Sequence, residues 1–136
     1  MRKIMTIIIV TALMIFLGYL QAPFLYSQDT EVEFLMNNYF QFLKAGDTES
    51  ILSVLTDPLL SERENILKNN PAYPNFLRAQ YKTARFVIEK AVDIQSDKKS
   101  IDVEIYFDEK GQPLKPRFLL KKEKGFWKIS DELTNF

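Results

Sequence analysis

The chain has 136 residues, 18 basic and 18 acidic side chains that cancel at pH 7, and neither cysteine nor histidine. That excludes disulfides, thiolate and imidazole metal sites, and every serine or cysteine triad that needs a histidine base. Balanced charge without a basic block argues against nucleic acid and anionic membrane surfaces as partners, and no repeat or low-complexity stretch is present.

Arg2 and Lys3 precede a run of apolar or small residues from Ile4 to Leu20; Pro23 ends it, and Leu25-Tyr26-Ser27 leads into the polar Gln28-Asp29-Thr30. A basic start, an apolar middle and a small-residue exit make a secretory signal peptide over residues 1–27. The expectation is an exported protein, periplasmic or extracellular, with one domain over residues 28–136. The alternative retains residues 4–20 as an inner-membrane anchor with the domain outside, because the run reaches the lower end of the roughly 17–25 residues of a spanning helix. A lipoprotein anchor needs a cysteine at the cleavage site, and the chain has none. Loss of Arg2 and Lys3 leaves 16 basic against 18 acidic residues, a net charge of −2. A domain of this size buries enough surface to stand on its core alone.

Thr30 and Glu33 form a capping box for a first helix, on which Val32, Leu35, Met36, Tyr39, Phe40, Phe42 and Leu43 share one broad face. Gly46 closes it. Asp47 caps a short second helix that turns Ile51, Leu52, Val54 and Leu55 inward. Asp57-Pro58 opens a third with Leu59, Leu60, Ile66 and Leu67 as its stripe. Residues 69–75, with Pro71 and Pro74, read as a loop, and 76–81 as further helical turns.

The period then changes from helical to two. Phe86, Ile88, Lys90, Val92 and Ile94 are expected on the inner face of one strand, and Ile101, Val103, Ile105 and Phe107 on that of the next. Residues 97–99 turn between them. Residues 114–122 make a third strand with Pro116, Phe118 and Leu120 inward. A turn at Glu123-Lys124-Gly125 leads to a fourth, with Trp127, Ile129 and Asp131 inward. Helices followed by an antiparallel meander make an α+β fold, with the helices on one face of the sheet.

Phe42-Leu43-Lys44-Ala45-Gly46-Asp47 followed by Ile51-Leu52-Ser53-Val54-Leu55 resembles the opening of the nuclear transport factor 2-like superfamily, also called SnoaL-like or ketosteroid-isomerase-like. The stretch from Phe118 through Gly125-Phe126-Trp127-Lys128-Ile129 resembles its last hairpin. The resemblance implies a curved sheet wrapped around the first helix as a cone with an open mouth. It also points to small exported domains of unknown role, often lipoproteins, from which the missing cysteine departs. The superfamily includes isomerases, dehydratases and epoxide hydrolases, whose polar groups lie inside the cone, and its members often pair through the sheet face.

Within that frame, Asp131 and Tyr39 are the candidate acid–base pair, as carboxylate and hydroxyl on the inward set. The plainer reading makes Asp131 a solvated strand-end carboxylate and Tyr39 a core tyrosine with its hydroxyl at the rim, and it is preferred. Tyr39, Phe107, Phe118 and Trp127 are the expected lining of a pocket for a small apolar ligand. Phe34 and Tyr106, aromatics on polar faces, are the candidate partner surface, with a homodimer through the sheet face as one use of it. Asp102 and Glu104 share a strand face without a third oxygen ligand, so no metal is expected. With no phosphate-binding glycine loop, no cofactor is expected either. The preferred function is non-catalytic binding of a protein partner or a small apolar ligand. An isomerase- or dehydratase-like enzyme acting on a small hydrophobic substrate and a membrane-anchored accessory subunit are the alternatives.

Overall fold

The computed structural model describes residues 30–134; the expected signal segment lies outside the described residues. Helix α1 covers residues 30–45 and buries Val32, Leu35, Met36, Tyr39, Phe40 and Leu43, the stripe expected from its spacing. It ends in a Schellman motif, with the Asp47 N–H donating to the Phe42 carbonyl at 3.0 Å and the Gly46 N–H to that of Leu43 at 3.1 Å. Gly46 sits at φ +60°, and a Cβ there would stand 2.5 Å from the Pro74 carbonyl oxygen. Glycine is therefore needed twice over, for the left-handed turn and for the approach of a later helix.

Helix α2 (Thr48–Ser53) is capped by Asp47, which accepts from the Ser50 N–H at 3.2 Å. The chain then runs beside the last strand: Thr56 N–H donates to the Ile129 carbonyl and Ile129 N–H to that of Val54, both at 2.9 Å. Helix α3 spans Leu59–Asn69, and Asp57 accepts from the Ser61 N–H at 3.1 Å. Helix α4 is Tyr73–Tyr81, longer than expected at its start. Pro74 does not end it, because a proline in the first helical turn gives up an N–H that has no partner there anyway.

Among the described residues five strands follow: β1 (Arg85–Ile88), β2 (Val92–Gln95), β3 (Lys98–Tyr106), β4 (Pro116–Glu123) and β5 (Phe126–Thr134). All pairings are antiparallel, in the order β1-β3-β4-β5, with β2 continuing alongside β3. The turn into β5 places Lys124 and Gly125 at φ 50° and 83°, the pair of positive values a type I′ hairpin requires. Among the described residues no helix is long and apolar enough to cross a membrane.

Irregularities in the first strand and in β5 correct the expected side-chain parity, and β2 carries a further register shift between Asp93 and Gln95. The first strand is broken at residues 89–91, and between the Ile88–Val103 and Val92–Ser100 pairs it advances four residues against three on β3. Phe86 and Ile88 face inward as expected, but Val92 and Ile94 are turned out and exposed. In β5, Ile129 pairs with Leu120 while Asp131 pairs with Leu119, so one extra residue enters the strand there. A bulge of one residue exchanges the two faces of everything beyond it.

The core lies between α1 and the concave face of the curved sheet. Tyr39 and Phe40 meet the Phe118 ring edge-on at 5.8 and 5.9 Å, and Phe40 stacks on Phe86 at 4.0 Å. Burying each such ring contributes roughly 1.5–3 kcal/mol before the geometry of the pairs is counted.

Candidate functional site

The bulge in β5 decides which carboxylate joins Tyr39. Leu119 lies between the buried Phe118 and Leu120, so it points away from the core, and its partner Asp131 points the same way. Asp131 therefore stands on the outer face and does not share a site with Tyr39. Glu132, paired with the buried Phe118, takes the inward place instead. The Ser130 hydroxyl donates to the Leu119 carbonyl at 3.1 Å, holding the distorted turn of the ladder.

Three helices converge on Glu132. From α3, Arg63 Nη2 donates to Glu132 Oε2 at 2.7 Å, with both side chains less than one-fifth exposed (19 % and 17 %). Arg63 Nη1 donates to the Tyr73 phenol oxygen of α4 at 3.2 Å. Tyr39 of α1 is 1 % exposed. Burial drives its phenol pKa far above the ordinary value, and the negative charge of Glu132 adds to the rise while Arg63 opposes it. Tyr81 of α4 is pushed up to about 12, by burial first and by Glu132 second.

Glu132 itself is raised above the ordinary carboxylate value. Burial is the larger influence, and the charge and hydrogen bond of Arg63 only partly reverse it. Chemically, the arrangement is a half-sheltered carboxylate clamped by a guanidinium and ringed by the phenols of Tyr39, Tyr73 and Tyr81. It can donate hydrogen bonds, accept one, and present an ion pair of little net charge to an incoming group.

The expected site residues divide between two ends of the sheet. Phe118 lies under Tyr39, and Phe107 stands past the end of β3 with its ring 5.5 Å from that of Tyr81. Trp127 lies at the opposite end of β5 from Glu132. Lys99 Nζ and Lys122 Nζ hang over its ring at 5.4 and 5.7 Å, and its indole N–H is buried with no hydrogen-bond partner among the described residues. Phe34 is 68 % exposed on α1. Tyr106 is not bare: the Arg85 guanidinium lies 4.1 Å over its ring, and its hydroxyl donates to Glu104 at 2.5 Å.

Arg63, Tyr73, Tyr81 and Glu132 are the members that sequence reading missed. For Arg63 a signal existed, since it falls four residues after Leu59 and four before Leu67, a charged residue on an otherwise apolar stripe.

No protein-family model matches the chain, and comparison with curated proteins finds no match. Solved structures do match. A nuclear transport factor 2-like protein of unknown function from Shewanella baltica aligns with a TM-score of 0.57 at 17 % identity, covering 81 % of this chain and 94 % of its own. Another from Shewanella oneidensis gives 0.56 at 10 % identity, covering 77 % and 96 %. A domain of unknown function with a cystatin-like fold from Nostoc punctiforme gives 0.52 at 12 %, covering 81 % and 77 %. At these identities the likeness concerns the fold, which is nuclear transport factor 2-like.

Proposed function

We propose that this nuclear transport factor 2-like domain is an exported, non-catalytic binding module that receives a small ligand or a segment of a partner at the end where Arg63 meets Glu132. The single observation behind this reading is the filled depth beneath that pair. Met36, Tyr39, Phe40 and Phe118 are each no more than 1 % exposed and pack on one another, so a guest is met at the rim. There Phe107 and Tyr81 offer apolar rings and Arg63 offers a charged donor beside them. Export rests on residues 1–27, with a retained anchor over residues 4–20, and hence a membrane-anchored accessory subunit, as the alternative form. Pairing of two copies through the sheet face is supported by the exposed Val87, Val92 and Ile94.

An isomerase- or dehydratase-like activity is the second reading, favoured by one observation, the raised pKa of the sheltered Glu132 next to Tyr39. In that case Glu132 replaces Asp131 as the base. Against it stands Arg63 at 2.7 Å, whose charge and hydrogen bond favour the ionised carboxylate and so oppose the rise that a base of this kind needs.

Native mass spectrometry of protein taken from its host tests the proposal. The expected chain mass begins at Gln28, and a further mass of some hundreds of daltons, lost on activation, marks a ligand. That adduct should disappear from Arg63→Ala and persist in Asp131→Asn. A bare wild-type chain that cross-links to no partner would sink the binding reading.

A further inference from the structure

Trp127 is the only tryptophan of the chain, and it is 7 % exposed. Among the described residues its indole N–H is the one buried side-chain polar group with no hydrogen-bond partner. An indole nitrogen donates and does not accept, so burial strips its hydration and puts nothing in its place. Such orphans are few in folded proteins, and a bound ion or water is a usual reason for one.

The groups around it are donors too. Lys122 of β4 stands directly opposite Trp127 on the inner face, with its Nζ 5.7 Å from the ring centre. Lys99 of β3 lies opposite Leu120, two residues before Lys122, and its Nζ is 5.4 Å from the same ring. Lys99 is 4 % exposed, a rare degree of burial for an ammonium group. Its carboxylate partner, Asp93 at 2.6 Å, is itself 76 % exposed and takes one of three N–H bonds. Among the described residues no ion pair reaches Lys122. Of the other acids at this end, Glu123 accepts from the Thr56 hydroxyl, and Asp97 meets Lys122 through its backbone carbonyl, which accepts the Lys122 N–H at 2.8 Å. Two ammonium groups and one N–H therefore converge on a single indole, with the ring face and Asp93 as their acceptors.

We propose that the indole N–H of Trp127 and the ammonium groups of Lys99 and Lys122 bind the carboxylate of a small monoanion. The orphaned N–H carries the assignment, because a cluster made of donors is complementary to an acceptor, and one that also holds cations to an anion. Water, the plain alternative, would accept from the N–H and leave the two like charges uncompensated. A carboxylate serves both needs, with one oxygen accepting the indole N–H and the other an ammonium. Asp93 offsets one of the two positive charges, so a single negative charge completes the balance, which favours a monocarboxylate over the phosphate dianion. Trp127 and Lys99 are buried, whereas Lys122 is half-buried and is the member a guest reaches first from solvent. The site lies on the inner face and at the opposite end of β5 from Glu132, so it stands or falls independently of the function proposed there.

A lone tryptophan lets the site report on itself. Proton–nitrogen correlation spectra of the nitrogen-labelled protein, in the form its host produces, should show one indole cross-peak. Sodium acetate, exchanged for sodium chloride at constant ionic strength, should move that peak downfield until it saturates. Lys122→Gln keeps the reporter and should weaken acetate by at least about tenfold, the loss of one charge-assisted hydrogen bond. Trp127→Phe, followed by calorimetry, should lose binding to a similar degree. Lys121→Gln, the chain neighbour on the outer face, should leave the affinity within about twofold, since an exposed charge is screened. An indole peak that acetate does not move would overturn the assignment and give the N–H to water. Equal weakening by Lys121→Gln would also overturn it, as the mark of unspecific charge attraction. Tighter binding of phosphate dianion than of acetate would overturn the choice of carboxylate.

Discussion

The two ends of the sheet treat charge in opposite ways. Where α3 and α4 close over β5, a carboxylate and a guanidinium are drawn in from solvent, joined at 2.7 Å and surrounded by phenols. At the hairpin tips, Lys98, Lys121 and Lys128 are set side by side on the outer face, and the groove against Lys98 and Lys121 also carries the carboxylates of Asp57 and Asp131. The first arrangement satisfies itself and leaves little for a ligand except its rim. In the second, the like charges stay in water, which screens them. The difference teaches that one sheet can shelter an ion pair at one end and leave like charges to solvent at the other.

The largest effect that would break the comparison is loss of Arg63. In Arg63→Ala the Glu132 carboxylate keeps its shelter and loses its cation, with an expected cost of about 1.5–3 kcal/mol in urea unfolding at pH 8. The larger figures for fully buried pairs do not apply to side chains that retain some exposure. The sign of the pH dependence is set by Glu132, whose native pKa already lies above the unfolded value. Stability linked to its proton is whole below the unfolded pKa and falls as pH rises through the native one. Removing Arg63 moves the native value higher, so the variant should lose more stability between pH 5 and pH 8 than the parent does, at about 1.4 kcal/mol per unit of added pKa difference. Equal losses at both pH values would show that Glu132 is not the group being held.

Next comes Gly46→Ala, which acts on the same end from a distance. Its Cβ would press on the Pro74 carbonyl and force a left-handed alanine, displacing the helix that carries Tyr73 and Tyr81. A loss of about 1–2 kcal/mol for the conformation, with the clash added, should appear in thermal unfolding. Little change would mean that α4 moves aside freely.

A third measurement sharpens the comparison without a mutation. In an ultraviolet alkaline titration of the folded protein, Tyr39 should stay protonated until the chain unfolds, and Tyr81 should ionise near 12. Ionisation of all tyrosines in one step near the ordinary phenol value would place these rings in water. The smallest effect belongs to the lysine row. Lys128→Glu, opposite Lys121, should stabilise the free protein by about 0.2–1 kcal/mol, read as a rise in urea midpoint at unchanged slope. Destabilisation there would mean the row is held by partners within the fold.

Local chemistry determined a great deal. The spacing from Val32 to Leu43 specified α1 and its buried face, Gly46 its end, Asp47 the start of α2, and Lys124-Gly125 the last hairpin, because helix periodicity, caps and turn conformations depend on a few neighbouring residues. Alternation along β3 and β4 likewise located Ile101, Val103, Ile105, Phe118 and Leu120 in the core. Tertiary structure alone decided which face each side chain takes beyond an inserted residue. The breaks at 89–91 and between Ile129 and Asp131 carry no residue-type signature, since a bulge is defined by the count on the partner strand, yet each exchanges the two faces beyond it. For that reason the sequence directs attention to Asp131 while the fold brings Glu132 to Tyr39. Register decided the lysine row as well: Lys98, Lys121 and Lys128 are far apart along the chain, and only strand pairing makes them neighbours.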